Sequence, residues 1–285
     1  MNNNHISVSI TDKIPSTLFR YRSFYRAFSE ITEDYIWFSS PLENNDPFDS
    51  WPSIKGCDQD LRQILTDMGQ DSEGFLADST CGDRIMIVLG HILELLRQYS
   101  ICCFSTRIDA LQLWSLYANN HTGICIEYDV SAIKGIGLLR KVHYSEEMQS
   151  RPFKDSTSPD KKELVKAFFN KSTEYASEDE WRIIKNEGGR TYLDNAIVGV
   201  YLGTNYRHLD MENQAQLKPL LHFCEDKKIP LYCMRRSFTE YKLTPTRITG
   251  EELSIEGQLE RFNLEQFIKN DVSEHCDSTH NVSQR

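Results

Sequence analysis

Apolar side chains recur along this chain with two periods, and the switches between them mark its elements. Leu18-Phe19-Arg20-Tyr21-Arg22 alternates apolar and basic positions, which predicts a strand. Phe24, Ala27, Phe28 and Ile31 follow at helical spacing, so Ser23 to Asp34 reads as a helix. Tyr35 to Ser39 is rich in aromatic and β-branched residues and reads as a second strand, ended by Pro41. Leu42 to Trp51 is turn-rich, and 52–80 reads as a short helix between loops. A strong helical pattern runs from Arg84 to Gln98. Its apolar stretch, Ile85 to Leu96, is broken by Gly90, His91 and Glu94 and falls short of the ~20 residues that span a bilayer.

Strands are expected at Ser100–Ser105, Gly123–Tyr128 and Val142-His143-Tyr144, with a short helix over Ala110–Ala118. Residues 145–161, with Pro152 and Pro159, read as an exposed connection, and Lys162 to Glu174 as a helix. Trp181–Ile184 and Ala196–Leu202 read as strands on either side of the Gly188-Gly189 turn. Gln214–Lys227 reads as a helix and Leu231–Met234 as the closing strand. The elements mix without regular βαβ alternation, so a single α+β domain over 18–269 is expected. A loosely held lead-in, 1–17, precedes it, and a disordered Ser/Asn/Asp-rich tail, 270–285, follows.

Of the 285 residues, 39% are hydrophobic, enough for a core and too many for a wholly disordered chain. The formal net charge of -10 suits phosphate backbones poorly, since Lys and Arg supply non-specific nucleic-acid affinity. A local basic cleft stays open to such a substrate. No basic segment leading into an apolar stretch is visible at the start. A cytoplasmic protein without membrane partners is therefore expected, its eight cysteines held as free thiols.

Several chemistries lose their support. There is no Gly-x4-Gly-Lys-Ser/Thr loop, no Gly-x-Gly-x-x-Gly, no His-Glu-x-x-His, no Cys-x-x-Cys and no Gly-x-Ser-x-Gly. Cys102 and Cys103 are adjacent, so on a strand their thiols point to opposite faces and cannot chelate one ion.

Four polar clusters remain. Arg20 and Arg22 present guanidinium forks to one face of a strand and suit a diphosphate or a carboxylate; an exposed strand edge is the plainer alternative. Ser39-Ser40-Pro41 with Asn45-Asp46-Pro47-Phe48-Asp49 is turn chemistry first, and a pocket wall if the loop folds over the Arg22 strand. Trp114, Tyr117, and Ala118 with His121 share helical spacing. They read as core packing with a helix C-cap at Asn119 or Asn120, or as a binding stripe. In Ser177-Glu178-Asp179-Glu180-Trp181-Arg182-Ile183, Glu180 and Arg182 share a face, as a salt-bridged surface or as a site that polarises a sugar hydroxyl.

Together these clusters resemble the bacterial proteins of the family called domain of unknown function 2971. The first shared pieces are Leu18-Phe19-Arg20-Tyr21-Arg22-Ser23, Ile36-Trp37-Phe38-Ser39-Ser40-Pro41 and Asn45-Asp46-Pro47-Phe48-Asp49. Cys103-Phe104-Ser105, the segment from Leu113-Trp114-Ser115 to Glu127, and Glu178-x-Glu180-Trp181-Arg182 follow in order, covering about residues 18 to 235. One departure is Glu43-Asn44, where that family usually has an aromatic or Leu.

The opening is also similar to that of ADP-ribosyltransferase-like proteins, among them toxins that modify DNA. This resemblance implies a split, mostly antiparallel sheet with flanking helices that holds NAD, with no metal. It implies catalytic roles for Arg22, Ser105 and Glu180, although Arg107 replaces the last residue of the usual Ser-Thr-Ser. Arg22 would hold the NAD phosphates or ribose, and Ser105 or Thr106 would orient Glu180. Glu180 would stabilise the oxocarbenium-like transition state as nicotinamide leaves. Arg20, Tyr21, Asn45 and Asp46 would join in binding NAD, with Thr106, Trp114, Tyr117 and His121.

The implied activity is ADP-ribosyl transfer or NAD hydrolysis, by a toxin or phage-defence effector that modifies a protein or nucleic-acid acceptor. Two other readings compete with it. One is a nucleotide-sensing domain that kept the fold and lost the reaction. The other is a metal-dependent hydrolase or nuclease built on Asp46, Asp49, Glu127 and Glu180.

Overall fold

The computed structural model describes residues 13–53, 61–62, 65–66, 69–148 and 165–249. The expected tail, most of the lead-in and most of the 145–161 connection lie outside the described residues. Strand β1 (Thr17–Arg22), helix α1 (Phe24–Thr32) and strand β2 (Tyr35–Phe38) come first. Helices α2 (Ser72–Asp78) and α3 (Cys81–Leu96) lead to β3 (Ser100–Ser105), α4 (Leu111–Leu116), β4 (Ile124–Asp129) and α5 (Val130–Ile133). Strands β5 (Leu138–Lys141), β6 (His143–Ser145) and β7 (Asn170–Ser172) follow, then β8 (Glu180–Lys185), β9 (Gly189–Tyr192) and β10 (Ile197–Leu202). Helices α6 (Met211–Ala215) and α7 (Leu217–Asp226) precede β11 (Leu231–Arg236) and β12 (Leu243–Arg247). The architecture is α+β with mostly antiparallel strand pairing and flanking helices, as the pattern predicts.

Some elements depart from expectation, each for a physical reason. Within the described part of the expected Lys162–Glu174 helix, the helical residues end at Ala167. Asn170–Ser172 pairs with β6 instead, and the Ser172 side chain accepts from Glu174 N to start a 3-10 turn over Thr173–Glu178. Leu138–Lys141, Gly189–Tyr192 and Leu243–Arg247 lack apolar alternation, yet become strands by pairing with β8, β2 and β11. Leu231–Met234 is therefore not the closing strand.

Two compact units make up the described chain. Among the described residues, the first draws on those within 13–19, 34–107 and 129–196, the second on those within 20–33, 108–128 and 197–249. In the first, β8 pairs antiparallel with β3, Ser105 opposite Glu180, and with β5, Arg140 opposite Arg182. Val88, Ile92 and Leu96 of α3 pack with Ile101, Ile184 and Phe168 in its core. Helix α3 starts in a capping box, in which Thr80 and Asp83 each accept from the other's backbone N–H.

In the second unit β10 lies between antiparallel β4 and parallel β11, and β12 runs antiparallel to β11. Helix α1 buries Phe24, Ala27 and Ile31, and α7 buries Leu217, Leu220 and Leu221. Gly123 answers a close approach, since a Cβ there would strike the carbonyl oxygens of Arg22 and Ala118. Among the described residues no helix is long and apolar enough to cross a membrane. Cys102, Cys103, Cys125, Cys224 and Cys233 form no disulfide.

Candidate functional site

In the first unit, the period of β8 puts Glu180 and Arg182 on one face, opposite Ser105 and Cys103 of β3. The turn at Asp46 carries Asp49 to Arg182. Asp46 Oδ1 accepts from Phe48 N at 2.9 Å, and Ser50 takes a left-handed φ of 66°. The 3-10 turn delivers Glu178, and β7 delivers Lys171.

Every N–H of the Arg182 guanidinium has an acceptor. Nη1 and Nη2 donate to Asp49 Oδ1 and Oδ2 at 2.5 and 2.6 Å. Nε and Nη2 donate to Glu180 Oε1 and Oε2 at 2.6 and 3.0 Å, and Nη1 also donates to the Phe168 carbonyl at 2.8 Å. Paired N–H···O bonds on two edges match the planar fork of arginine, which an ammonium cannot imitate. Lys171 Nζ donates to Glu178 Oε2 at 2.6 Å and Glu180 Oε2 at 3.1 Å, and lies 4.5 Å from the Tyr175 ring centroid. Two cations and three carboxylates are thus buried together, Arg182 with 0% exposure and Lys171 with 6%. The salt-bridged surface expected of Glu180 and Arg182 is an interior instead, because Asp49, Lys171 and Glu178 close over it.

Burial alone would raise the Glu180 carboxyl, but Arg182 and Lys171 outweigh it and hold the group at about 2. Burial pushes the Cys103 thiol well up, and the neighbouring Glu180 adds to that, so it stays protonated. The Tyr144 phenol is raised chiefly by burial, and its oxygen accepts from Glu180 N at 2.9 Å. Because Glu180 sits below the ordinary value of 4.5, its stabilising contribution is complete above that pH and is lost as pH falls toward about 2. Urea midpoints measured across this acid range will fall more steeply in the wild-type chain than in Glu180→Gln. Parallel declines would assign the acid lability to other groups.

Of the predicted catalytic residues, Ser105 and Glu180 come together here, while Arg22 belongs to the second unit. Ser105 Oγ donates to the Glu178 carbonyl at 2.6 Å and accepts from Arg107 N at 3.0 Å, bracing the chain just before Glu180. Thr106 Oγ1 donates to Asp179, which has a left-handed φ of 44° and pairs with Lys141 at 2.8 Å. Asn45 is exposed, and Asp46 uses its carboxylate to cap the turn. Lys171 is the residue that sequence reasoning misses, since a lone Lys between polar neighbours reads as solvated.

In the second unit Arg20 and Arg22 do face a carboxylate, and the chain itself supplies it. Glu30 of α1, 0% exposed, lies 3.8 Å from Arg20 Nη1 and 2.6 Å from Arg22 Nη2. This replaces the exposed strand edge. Tyr21 meets Trp114 edge-on at 5.1 Å, and His121 stacks on Trp114 at 6.4 Å.

The helical stripe does not carry His121, because α4 ends at Leu116. Asn119, Asn120 and His121 instead take left-handed φ values of 47°, 53° and 65°. Such a run persists only when its surroundings over-determine it. Asn120 N and His121 N donate to the carbonyls of Ser115 and Trp114, both at 3.1 Å, and Asn205 N donates to His121 O at 2.9 Å. Tyr117 is half-buried at the helix end, and burial lowers the His121 pKa, keeping the ring neutral. Glu127 accepts from Tyr201 Oη at 2.6 Å, so it is taken up inside this unit, while Asp49 and Glu180 close on Arg182. Among the described residues no group of three or more His, Cys, Asp or Glu is arranged to hold a metal ion.

Fold and site define an α+β protein with an arginine-centred ion network inside its first unit. Over residues 113–183 the chain matches the model of a family described as Protein of unknown function (DUF2971). That stretch runs from α4 to β8 and includes Trp114, His121, Lys171, Glu180 and Arg182; Arg22 and Asp49 lie outside it. No curated protein and no solved structure matches the chain.

Proposed function

We propose that this chain is a nucleotide-sensing domain of the NAD-binding class in which the late glutamate has a structural role. The observation that carries this reading is the occupancy of Glu180. Its Oε1 accepts from Arg182 Nε, and its Oε2 from Arg182 Nη2 and Lys171 Nζ. A carboxylate that grips a ribose hydroxyl needs an oxygen turned to the ligand, and diverting this one would leave buried cations uncompensated. The nucleotide class rests on the ADP-ribosyltransferase-like resemblance of the opening strand–helix–strand.

One observation favours the transferase or glycohydrolase as a second reading. Ser105 stands opposite Glu180 across β3 and β8, the pairing that the resemblance implies. One experiment separates the two. Nicotinamide release from NAD is measured with EDTA present, beside thermal unfolding with and without NAD. The sensing reading expects NAD to raise the unfolding temperature with no nicotinamide released, because a ligand selective for the folded state stabilises it. Release that vanishes in a Glu180→Gln chain shown to be folded would establish the transferase or glycohydrolase reading. Neither release nor stabilisation would remove the nucleotide reading.

A further inference from the structure

The hairpin of β11 and β12 stands apart from the rest of this acidic chain. Between Leu231 and Arg247 it carries Arg235, Arg236, Lys242 and Arg247 against the single acidic residue Glu240, whereas the whole chain has a net charge of -10. Two aromatic rings sit at its tip in water, Phe238 at 55% exposure and Tyr241 at 103%. A cavity of about 410 Å³ lies between the tip, Arg236 to Leu243, and the exposed Leu111 of α4. That volume falls within the range of small-ligand sites and admits a nucleobase with its sugar.

The tip is built rather than loose. Ser237 N donates to Lys242 O at 2.9 Å, and Ser237 Oγ accepts from Thr239 N and Glu240 N at 3.2 Å each. The Arg236 guanidinium lies 5.7 Å from the Phe238 ring centroid. Rings presented on an ordered turn lose little freedom when a partner stacks on them.

We infer that this hairpin binds single-stranded nucleic acid. Charge complementarity selects a polyanion, since Arg236 and Lys242 line the cavity and can track a phosphate backbone. The exposed rings select one whose bases are unstacked, because every base has a face that Phe238 and Tyr241 can cover, while a duplex hides its faces. The edge strand β12 argues against an added peptide strand. Pro245 removes a backbone donor from its middle, and proline on an edge blocks pairing. The inference is independent of the NAD reading and stands or falls separately from it.

The test is fluorescence anisotropy of the full chain with labelled oligo(dT) and oligo(U), the matching duplex, and a polyglutamate peptide of similar charge. Both single strands, or one of them, are expected to bind more tightly than duplex and peptide, with an affinity that falls as salt rises. Phe238→Ala/Tyr241→Ala is expected to weaken single-strand binding about 10-fold or more, with an unchanged unfolding temperature because both rings are exposed. Arg236→Ala/Lys242→Ala is expected to flatten the salt dependence. Preference between oligo(dT) and oligo(U) tells whether the strand is DNA or RNA. Equal binding of duplex or polyglutamate, no binding at all, or indifference to both variants would overturn the proposal.

Discussion

Arg182→Ala is expected to lower the unfolding free energy by about 3–5 kcal/mol, since removing one member of a buried ion pair strands its partners. Asp49 loses both of its bonds at 2.5 and 2.6 Å, keeping Ser50 Oγ at 3.0 Å and the Lys171 ammonium at 3.9 Å. Glu180 keeps its bond from Lys171 at 3.1 Å and that from the Cys103 thiol. Urea denaturation at neutral pH measures the loss. Arg182→Lys should recover a minor part, because a point charge cannot fork onto two carboxylates. The acid limb adds a second readout. Stranded carboxylates are relieved by protonation, so the gap between Arg182→Ala and wild type should narrow as pH falls. A loss below about 1 kcal/mol would mean that the network behaves like a solvated surface pair.

Trp114→Ala is expected to cost a similar amount, about 3–5 kcal/mol, the range for emptying a buried tryptophan site. The indole is 0% exposed, and its Nε1 donates to the Ile108 carbonyl at 2.8 Å. It also carries the edge of Tyr21 and the stacked ring of His121. Trp114→Phe keeps most of the packing and removes only the donor, so its cost should be nearer 1–3 kcal/mol, roughly that of one unsatisfied buried carbonyl. Nuclear magnetic resonance titration of His121 distinguishes packing from hydrogen bonding. Burial lowers the His121 pKa from its ordinary 6.5, so Trp114→Ala should let it rise and Trp114→Phe should change it less. An unmoved His121 in both variants would mean that Trp114 does not shield the imidazole.

The arginines of β1 show how far local pattern reaches. Alternation places Arg20 and Arg22 on one face and asks for an anion there, which is correct. That the anion is Glu30, 0% exposed on the next helix, depends on how α1 folds back on β1. The aromatic segment behaves likewise. Helical spacing pairs Trp114 with His121, and the two rings do stack, but through a left-handed turn over Asn119–His121; the helix stops at Leu116, so its C-cap is Tyr117 and not Asn119 or Asn120 as expected.

By itself the sequence determined the elements whose signal is local. Strand β3 falls on Ser100–Ser105 as predicted, α1 and α3 follow their 3.6-residue apolar rows, and Asp46 caps its turn through its own carboxylate. Periodicity, capping and turn chemistry act over a few residues, so a few residues suffice to read them. Only the tertiary structure decided that β5, β9 and β12 are strands, because their stability comes from partners across the sheet. It alone made Glu180 and Arg182 interior, and it alone recruited Lys171. The acceptor that closes on Arg182, Asp49, is 133 residues away in the chain. What a charge does is set by the dielectric and the counter-charges around it, and those arrive from distant segments.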